Sequence, residues 1–297
     1  MKKIFKGIMP ALVTPFQADG KTIDEQAARN IIEFQLSQGA NGFYVLGGTG
    51  EGLAIARKER EIMCEVAIDQ IANRAPMICH VASINFEETC ALAKHAEKAG
   101  ADAISAVPPI FFFYDSEDIY NYYKKLASCV SIPVIMYYHP ATGRQMSPEL
   151  CTRLFNEIDN LTGVKWSVND YFGMMRLKDL TQGEMNIING PDEMLISGLA
   201  AGADAGIGST YNVMLPEFLE LYRLFHEGKV NEARAIQLKI NRVINAMFPH
   251  EIIPAVKYAC GMLGYPVGDA TFPMRGYTKE QAAAAERDLR AAGFPLS

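Results

Sequence analysis

No two of the six cysteines (Cys64, Cys79, Cys90, Cys129, Cys151 and Cys260) stand in C-x-x-C spacing. Scattered in this way, they read as reduced, mostly buried thiols of a cytoplasmic protein. The five histidines form no H-E-x-x-H or comparable cluster, so a metal site is not expected. A basic tract is missing and the formal net charge is −6, which makes nucleic acid an unexpected partner. No apolar run is long enough to cross a membrane. The start, Met1-Lys2-Lys3-Ile4-Phe5-Lys6, faintly resembles a signal peptide, but Pro10 and Pro15 interrupt any apolar core and exclude that reading. No G-x-G-x-x-G follows the first apolar run, and no Ser/Gly-rich linker divides the chain.

What is present is a repeating α/β pattern. Of 297 residues, 49% are hydrophobic and 21% charged, a globular balance, and the length suits an α/β barrel with an extension. One phrase recurs three times. Gly39-Ala40-Asn41-Gly42, Gly100-Ala101-Asp102-Ala103 and Gly202-Ala203-Asp204-Ala205 each lead into an apolar run. The first glycine fits a helix C′ position, where positive φ is cheap, and a strand follows at once. Eight strands are expected near 8–13, 42–46, 77–81, 103–107, 133–137, 162–166, 186–189 and 205–208. Amphipathic helices separate them, among them Asp24–Ser37, Lys58–Ala72, Phe86–Ala99 and Pro148–Ile158. Eight alternating units predict a closed parallel (β/α)8 barrel rather than an open sheet. Beyond residue 214 only helices are expected: Leu215–Glu227, Val230–Met247, Ile252–Leu263 and Thr278–Ala292. The division drawn is a barrel over 1–225 and a packed helical extension over 226–297.

Barrel enzymes place their chemistry at the C-terminal ends of the strands. Strand 6 contains Lys165, within Thr162-Gly163-Val164-Lys165-Trp166-Ser167. A lysine in such a run must bury an ammonium, pair it or lose its proton, and a deprotonated amine is a nucleophile. The plainer reading is a lysine snorkelling from a strand end. Strand 2 ends in Gly47-Gly48-Thr49-Gly50-Glu51-Gly52. Its free backbone N–H groups and the Thr49 hydroxyl could hold an anion, or simply make a tight turn. No lysine follows in P-loop spacing, so a carboxylate is a better guest than phosphate. Strand 5 ends in Tyr137-Tyr138-His139-Pro140, and strand 8 in Gly208-Ser209-Thr210-Tyr211-Asn212. Asp192-Glu193, after strand 7, suits either a site or a helix N-terminal cap. The run Phe111-Phe112-Phe113-Tyr114 suits rim packing or a subunit contact better than a site.

Together these segments resemble the N-acetylneuraminate lyase branch of the dihydrodipicolinate synthase superfamily, along essentially the whole chain from Ala11-Leu12-Val13-Thr14-Pro15-Phe16 onward. The most specific stretch runs from Asn189-Gly190-Pro191-Asp192-Glu193 to Ser209-Thr210-Tyr211-Asn212. The resemblance implies a (β/α)8 barrel, usually a homotetramer, that cleaves sialic acid to pyruvate and N-acetylmannosamine without a cofactor. It assigns the Schiff-base lysine to Lys165 and the proton-shuttling tyrosine to Tyr137, which Pro140 sets in Tyr-x-x-Pro spacing. Gly48 and Thr49 match the groups that hold the pyruvyl carboxylate. Gly190, Asp192, Glu193 and Ser209 match contacts to the sugar hydroxyls, and Ser167 matches a hydroxyl residue two after the lysine.

Four departures stand out. Tyr138 takes a place usually held by Asn or His. Gly48 replaces the usual Ser or Thr, and Gly-Gly-Thr-Gly-Glu also resembles the ketodeoxyglucarate dehydratases of the superfamily. Phe111 stands where many members carry a tyrosine that reaches into the neighbouring site. The loop Pro140-Ala141-Thr142-Gly143 is one residue short and lacks the arginine of the synthases; Arg144, just beyond, substitutes poorly. The expected activity is thus a class I aldolase acting on N-acetylneuraminate. A related Schiff-base dehydratase or 2-keto-acid aldolase is the alternative, and a non-catalytic keto-acid binding protein is disfavoured by intact Lys165 and Tyr137.

Overall fold

The computed structural model describes residues 5–142 and 146–295. Eight parallel strands alternate with helices: β1 (Gly7–Pro10), β2 (Phe43–Val45), β3 (Met77–His80), β4 (Ala103–Ala106), β5 (Val134–Tyr138), β6 (Leu161–Trp166), β7 (Asn186–Asn189) and β8 (Ala205–Gly208). Neighbours pair in chain order, and β1 pairs with β8. The ring closes between β1 and β2, where Ala11 bridges Tyr44 and the Leu12 N–H donates to the Tyr44 carbonyl at 2.9 Å. The strands are buried almost throughout, as a parallel sheet covered by helices on its outer face requires.

The barrel helices are α1 (Glu25–Ser37), α2 (Arg57–Ile71), α3 (Phe86–Ala99), α4 (Ser116–Ala127), α5 (Pro148–Glu157), α6 (Tyr171–Leu180), α7 (Leu195–Ala200) and α8 (Tyr211–His226). Local chemistry sets many of their ends. Asp24, Asn85, Asp115, Ser147 and Asp170 accept hydrogen bonds from first-turn N–H groups, and Pro148 opens α5. The three recurring glycines behave as expected: Gly39, Gly100 and Gly202 have φ of 93°, 107° and 98° and turn the chain from helix toward strand. Three further helices follow: α9 (Val230–Met247), α10 (Ile252–Met262) and α11 (Lys279–Ala291). A capping box between Thr278 and Gln281 starts α11. Among the described residues no helix is long and apolar enough to cross a membrane.

Most boundaries fall within one or two residues of the sequence expectation, and two differ by more. The first strand was expected over 8–13 but ends at Pro10. Past it, Val13 gives its N–H to the Asn212 side chain at 3.2 Å instead of to a strand. The eighth helix begins at Tyr211 rather than Leu215, with a break at Met214. Asn212 anchors this first turn by donating to the Ala11 and Ser209 carbonyls, each at 2.7 Å. Side-chain bonds to a distant segment leave no trace in apolar periodicity, so neither boundary could be read from the sequence.

Candidate active site

Parallel pairing sets Tyr137 on β5 beside Lys165 on β6. The Lys165 side chain rises into the barrel mouth and is 5% exposed. Its Nζ donates to Ser167 Oγ at 2.9 Å and lies 4.2 Å from the centre of the Tyr137 ring and 5.6 Å from that of Tyr44. Among the described residues no carboxylate forms an ion pair with it. The other buried lysine among the described residues, Lys257 on α10, is held quite differently. It donates to Glu51 Oε1 and to the Asp269 carbonyl, each at 2.8 Å. A buried ammonium is ordinarily compensated in the manner of Lys257, whereas the direct contacts of Lys165 are to a hydroxyl and two aromatic rings, with Asp192 acting on it only through space.

All nine candidate residues line one cavity of about 520 Å³ at the C-terminal ends of the strands: Gly48, Thr49, Tyr137, Lys165, Ser167, Gly190, Asp192, Glu193 and Ser209. Thr49 and Ser209 share a hydrogen bond of 2.7 Å between their hydroxyls and so join the loop after β2 to the end of β8. Two non-glycine residues in this loop region, Leu46 and Glu51, have φ of 63° and 57°, a cost borne where backbone must curl around a site. Gly48 is exposed, and a Cβ built on it would meet nothing closer than the Tyr137 hydroxyl at 3.8 Å. The missing side chain therefore leaves open space beside the tyrosine.

Gly190 has a packing reason that the sequence did not reveal. A Cβ there would stand 1.9 Å from Ser167 Oγ, so the glycine makes room for the hydroxyl that binds the lysine. Gly208 does the same for Asp192, whose Oδ1 would lie 2.0 Å from an added Cβ.

Asp192 does not cap a helix. Its Oδ2 accepts from both the backbone N–H and the hydroxyl of Thr210, each at 2.7 Å. From α9, Gln237 donates to the Asp192 carbonyl at 3.1 Å and Asn241 to the Glu193 carbonyl at 3.0 Å. The helical extension thus fixes the turn that presents both carboxylates. Gln237 and Asn241 escaped the sequence reading because polar residues on a helix ordinarily face water, and Thr210, named at the end of strand 8, was given no role of its own. The Glu51–Lys257 pair left a clearer mark, a single lysine inside the apolar stretch Ile252–Met262.

Burial pushes the Asp192 carboxyl up to about 6, against the two Thr210 hydrogen bonds that favour ionisation. A folded value above the ordinary carboxylate range favours the native state in the protonated form. That contribution is fully present below about pH 4 and is lost as pH rises through about 6. Urea unfolding of the parent and Asp192→Asn between pH 4 and pH 7 will measure it. Asparagine can accept both Thr210 bonds without titrating, so the stability gap between the two proteins is expected to shift against the parent as pH rises. A constant gap would show that the carboxyl titrates alike in the folded and unfolded chains.

Two imidazoles flank the site. Burial, then the Lys165 charge, brings His139 down to about 4; burial, then Arg60, brings His80 down to about 3. Both are neutral at pH 7 and add no second positive charge beside the lysine. The rings of Tyr44, His80 and His139 meet the Tyr137 ring edge-on at 5.8, 5.9 and 5.5 Å. Phe111 lies on the surface, 84% exposed, with φ of 81°. Tyr138 packs on Trp166 at 5.0 Å, half-buried at the rim. Gly143 and Arg144, singled out in the short loop, fall outside the described residues.

The comparisons agree with this fold. The N-acetylneuraminate lyase of Rhizobium meliloti (strain 1021) is 34% identical over 292 residues, covering 98% of this chain and 95% of the relative. Among solved structures, CdNal from Clostridium difficile, in complex with mannosamine, superposes with a TM-score of 0.92 at 31% identity, over 97% of this chain and 99% of that one. A dihydrodipicolinate synthase superposes with 0.90 at 27% identity, over the same shares, so backbone shape alone does not separate the two activities. The model of the dihydrodipicolinate synthetase family matches residues 4–292. With that match along nearly the whole chain and a barrel of this topology, the chain belongs to that family.

Proposed function

We propose that this protein is a class I aldolase that cleaves N-acetylneuraminate to N-acetylmannosamine and pyruvate through a Schiff base on Lys165. The observation that carries the reading is a buried amine without a carboxylate partner, bonded to Ser167, in a cavity that also holds Tyr137, Thr49, Asp192 and Glu193. The names of relatives at 31–34% identity support it. In its neutral form the Lys165 amine attacks the C2 ketone of the open-chain sugar acid, and loss of water leaves a protonated imine. Tyr137 relays the C4 hydroxyl proton toward the substrate carboxylate while the C3–C4 bond breaks, and its electron pair passes into the enamine. Protonation at C3 and hydrolysis return the amine and release pyruvate. Gly48 and Thr49 hold the carboxylate, Ser167 orients the amine, and Gly190, Asp192, Glu193 and Ser209 face the sugar tail. No cofactor is required by these steps.

Gly48 favours a second reading, a Schiff-base dehydratase or another 2-keto sugar-acid aldolase, since the hydroxyl expected at that position is missing. A panel of 2-keto sugar acids separates the two. Release of N-acetylmannosamine with pyruvate is expected from N-acetylneuraminate, and dehydration without carbon–carbon cleavage would overturn the lyase reading.

Specificity for the sugar tail is assigned to Asp192 and Glu193. A charge-assisted hydrogen bond to a polyol contributes roughly 1.5–3 kcal/mol, or about 10- to 150-fold in kcat/KM. Asp192→Asn and Glu193→Gln are expected to lose this on N-acetylneuraminate and to retain activity on a shorter 2-keto acid. An equal loss on both substrates, or a lower melting temperature alone, would reduce the pair to a structural role.

The same reading takes residues 1–225 as the catalytic barrel and 226–297 as the packed extension; the end of α8 at His226 and the start of α9 at Val230 support that division. It also takes the assembly as a homotetramer working in the cytoplasm. Phe111, Phe112 and Phe113, 84%, 61% and 94% exposed, form an aromatic surface of the kind that a second subunit covers.

A further inference from the structure

Six thiols are present, and they are not equivalent. Cys64, Cys79, Cys151 and Cys260 are buried; Cys90 and Cys129 are partly exposed. Cys90 lies in the second turn of α3, and Cys129 follows the end of α4. The Cys129 thiol faces Cys90 Sγ at 2.8 Å and the Lys125 carbonyl at 3.4 Å. The two residues are 39 apart in sequence, so the contact is made by the packing of neighbouring barrel helices. Around it, Glu97 on α3 accepts from the Ser131 N–H and hydroxyl, and the Lys125 ammonium sits over the Phe86 ring at 5.2 Å. These contacts hold the two segments in register on either side of the sulfur pair.

We propose that Cys90 and Cys129 form a reversible dithiol–disulfide site whose oxidant is a hydroperoxide. The ammonium groups of Lys94 and Lys125 pull the Cys90 thiol toward ionisation, but less than its surroundings oppose it. Burial, then the adjacent Cys129 thiol, pushes Cys90 up to about 12, which makes Cys90 the poorer first nucleophile. The Cys129 thiolate attacks one peroxide oxygen; an S–O bond forms, the O–O bond breaks, and the departing hydroxide or alkoxide takes a proton. Cys90 then attacks the sulfenic sulfur, forming the S–S bond as hydroxide leaves and is protonated to water. Two thiols and one hydroperoxide thus give one disulfide, one water and one water or alcohol, with two electrons passing to the peroxide. The bridge would tie α3 to the end of α4, away from the cavity that holds Lys165, and it does not rest on the proposed activity.

Cys64 and Cys79 supply an internal comparison. They too are neighbours, but at 1% and 3% exposure neither is open to a solute oxidant. Reduced whole protein, freed of reductant, is titrated with a thiol reagent under native conditions before and after a modest excess of hydrogen peroxide. Non-reducing peptide mapping follows. Before treatment about two thiols are expected to react, and after it close to none. A peptide joining Cys90 to Cys129 is expected, lighter by about 2 Da and restored by dithiothreitol. In Cys129→Ser the bridge is lost, and Cys90 reacts with the thiol reagent as a single site. A native thiol count unchanged by peroxide, a bridge between Cys64 and Cys79 instead, or overoxidation of either surface cysteine without a bridge would overturn the proposal.

Discussion

Lys165→Arg will lose pyruvate release and covalent capture of pyruvate together. Arginine keeps length and charge, but a guanidinium does not deprotonate to become a nucleophile in a protein. The parent, incubated with pyruvate and sodium borohydride, is expected to gain a reduced pyruvyl group that peptide mapping places on Lys165. Lys257 is the natural control. It is buried to a similar degree, and burial lowers its pKa, but its ammonium donates to Glu51 and to the Asp269 carbonyl and stands outside the cavity that holds Lys165. It is expected to remain unmodified. An adduct on Lys257, or a parent protein that traps nothing under conditions that capture other Schiff-base aldolases, would refute the assignment. So would an arginine variant that still releases pyruvate.

Tyr137→Phe is expected to lower kcat by roughly 10²–10⁴, the usual scale for one acid–base group, with little change in KM. The substitution is clean because the ring is held by its edges. Tyr44, His80 and His139 pack around it at 5.5–5.9 Å, and none of these contacts uses the hydroxyl. The Lys165 amine lies over the face of the same ring, and phenylalanine preserves that surface. What disappears is an oxygen at the cavity wall beside Gly48, which has no side chain to take its place. A sharp rise in KM with kcat unchanged would instead make Tyr137 a binding group.

Much of this molecule is visible along the chain. The recurring Gly-Ala phrase marks helix-to-strand junctions because only glycine takes positive φ without strain, and that is a property of single residues. Lys165 announced itself because an ammonium inside a strand is costly wherever the strand packs. Strands β7 and β8 fall where apolar runs lie between turn residues. The family resemblance rests on similarly local motifs, each within a few residues of a strand end.

What the sequence by itself determined, then, is the alternation of elements and the types of residue delivered to the strand ends. Tertiary structure decided which of those residues touch. Thr49 meets Ser209 across 160 residues, Val13 meets Asn212 across 199, and Gln237 reaches back 45 to the Asp192 carbonyl. Gly190 is glycine because Ser167 occupies the space of its Cβ, and Asp192 braces Thr210 instead of capping a helix. The physical reason is common to all of them. Propensity and capping act over one turn of chain, whereas a hydrogen bond between strand ends exists only after the eight strands close, when the ring brings the first and last of them together.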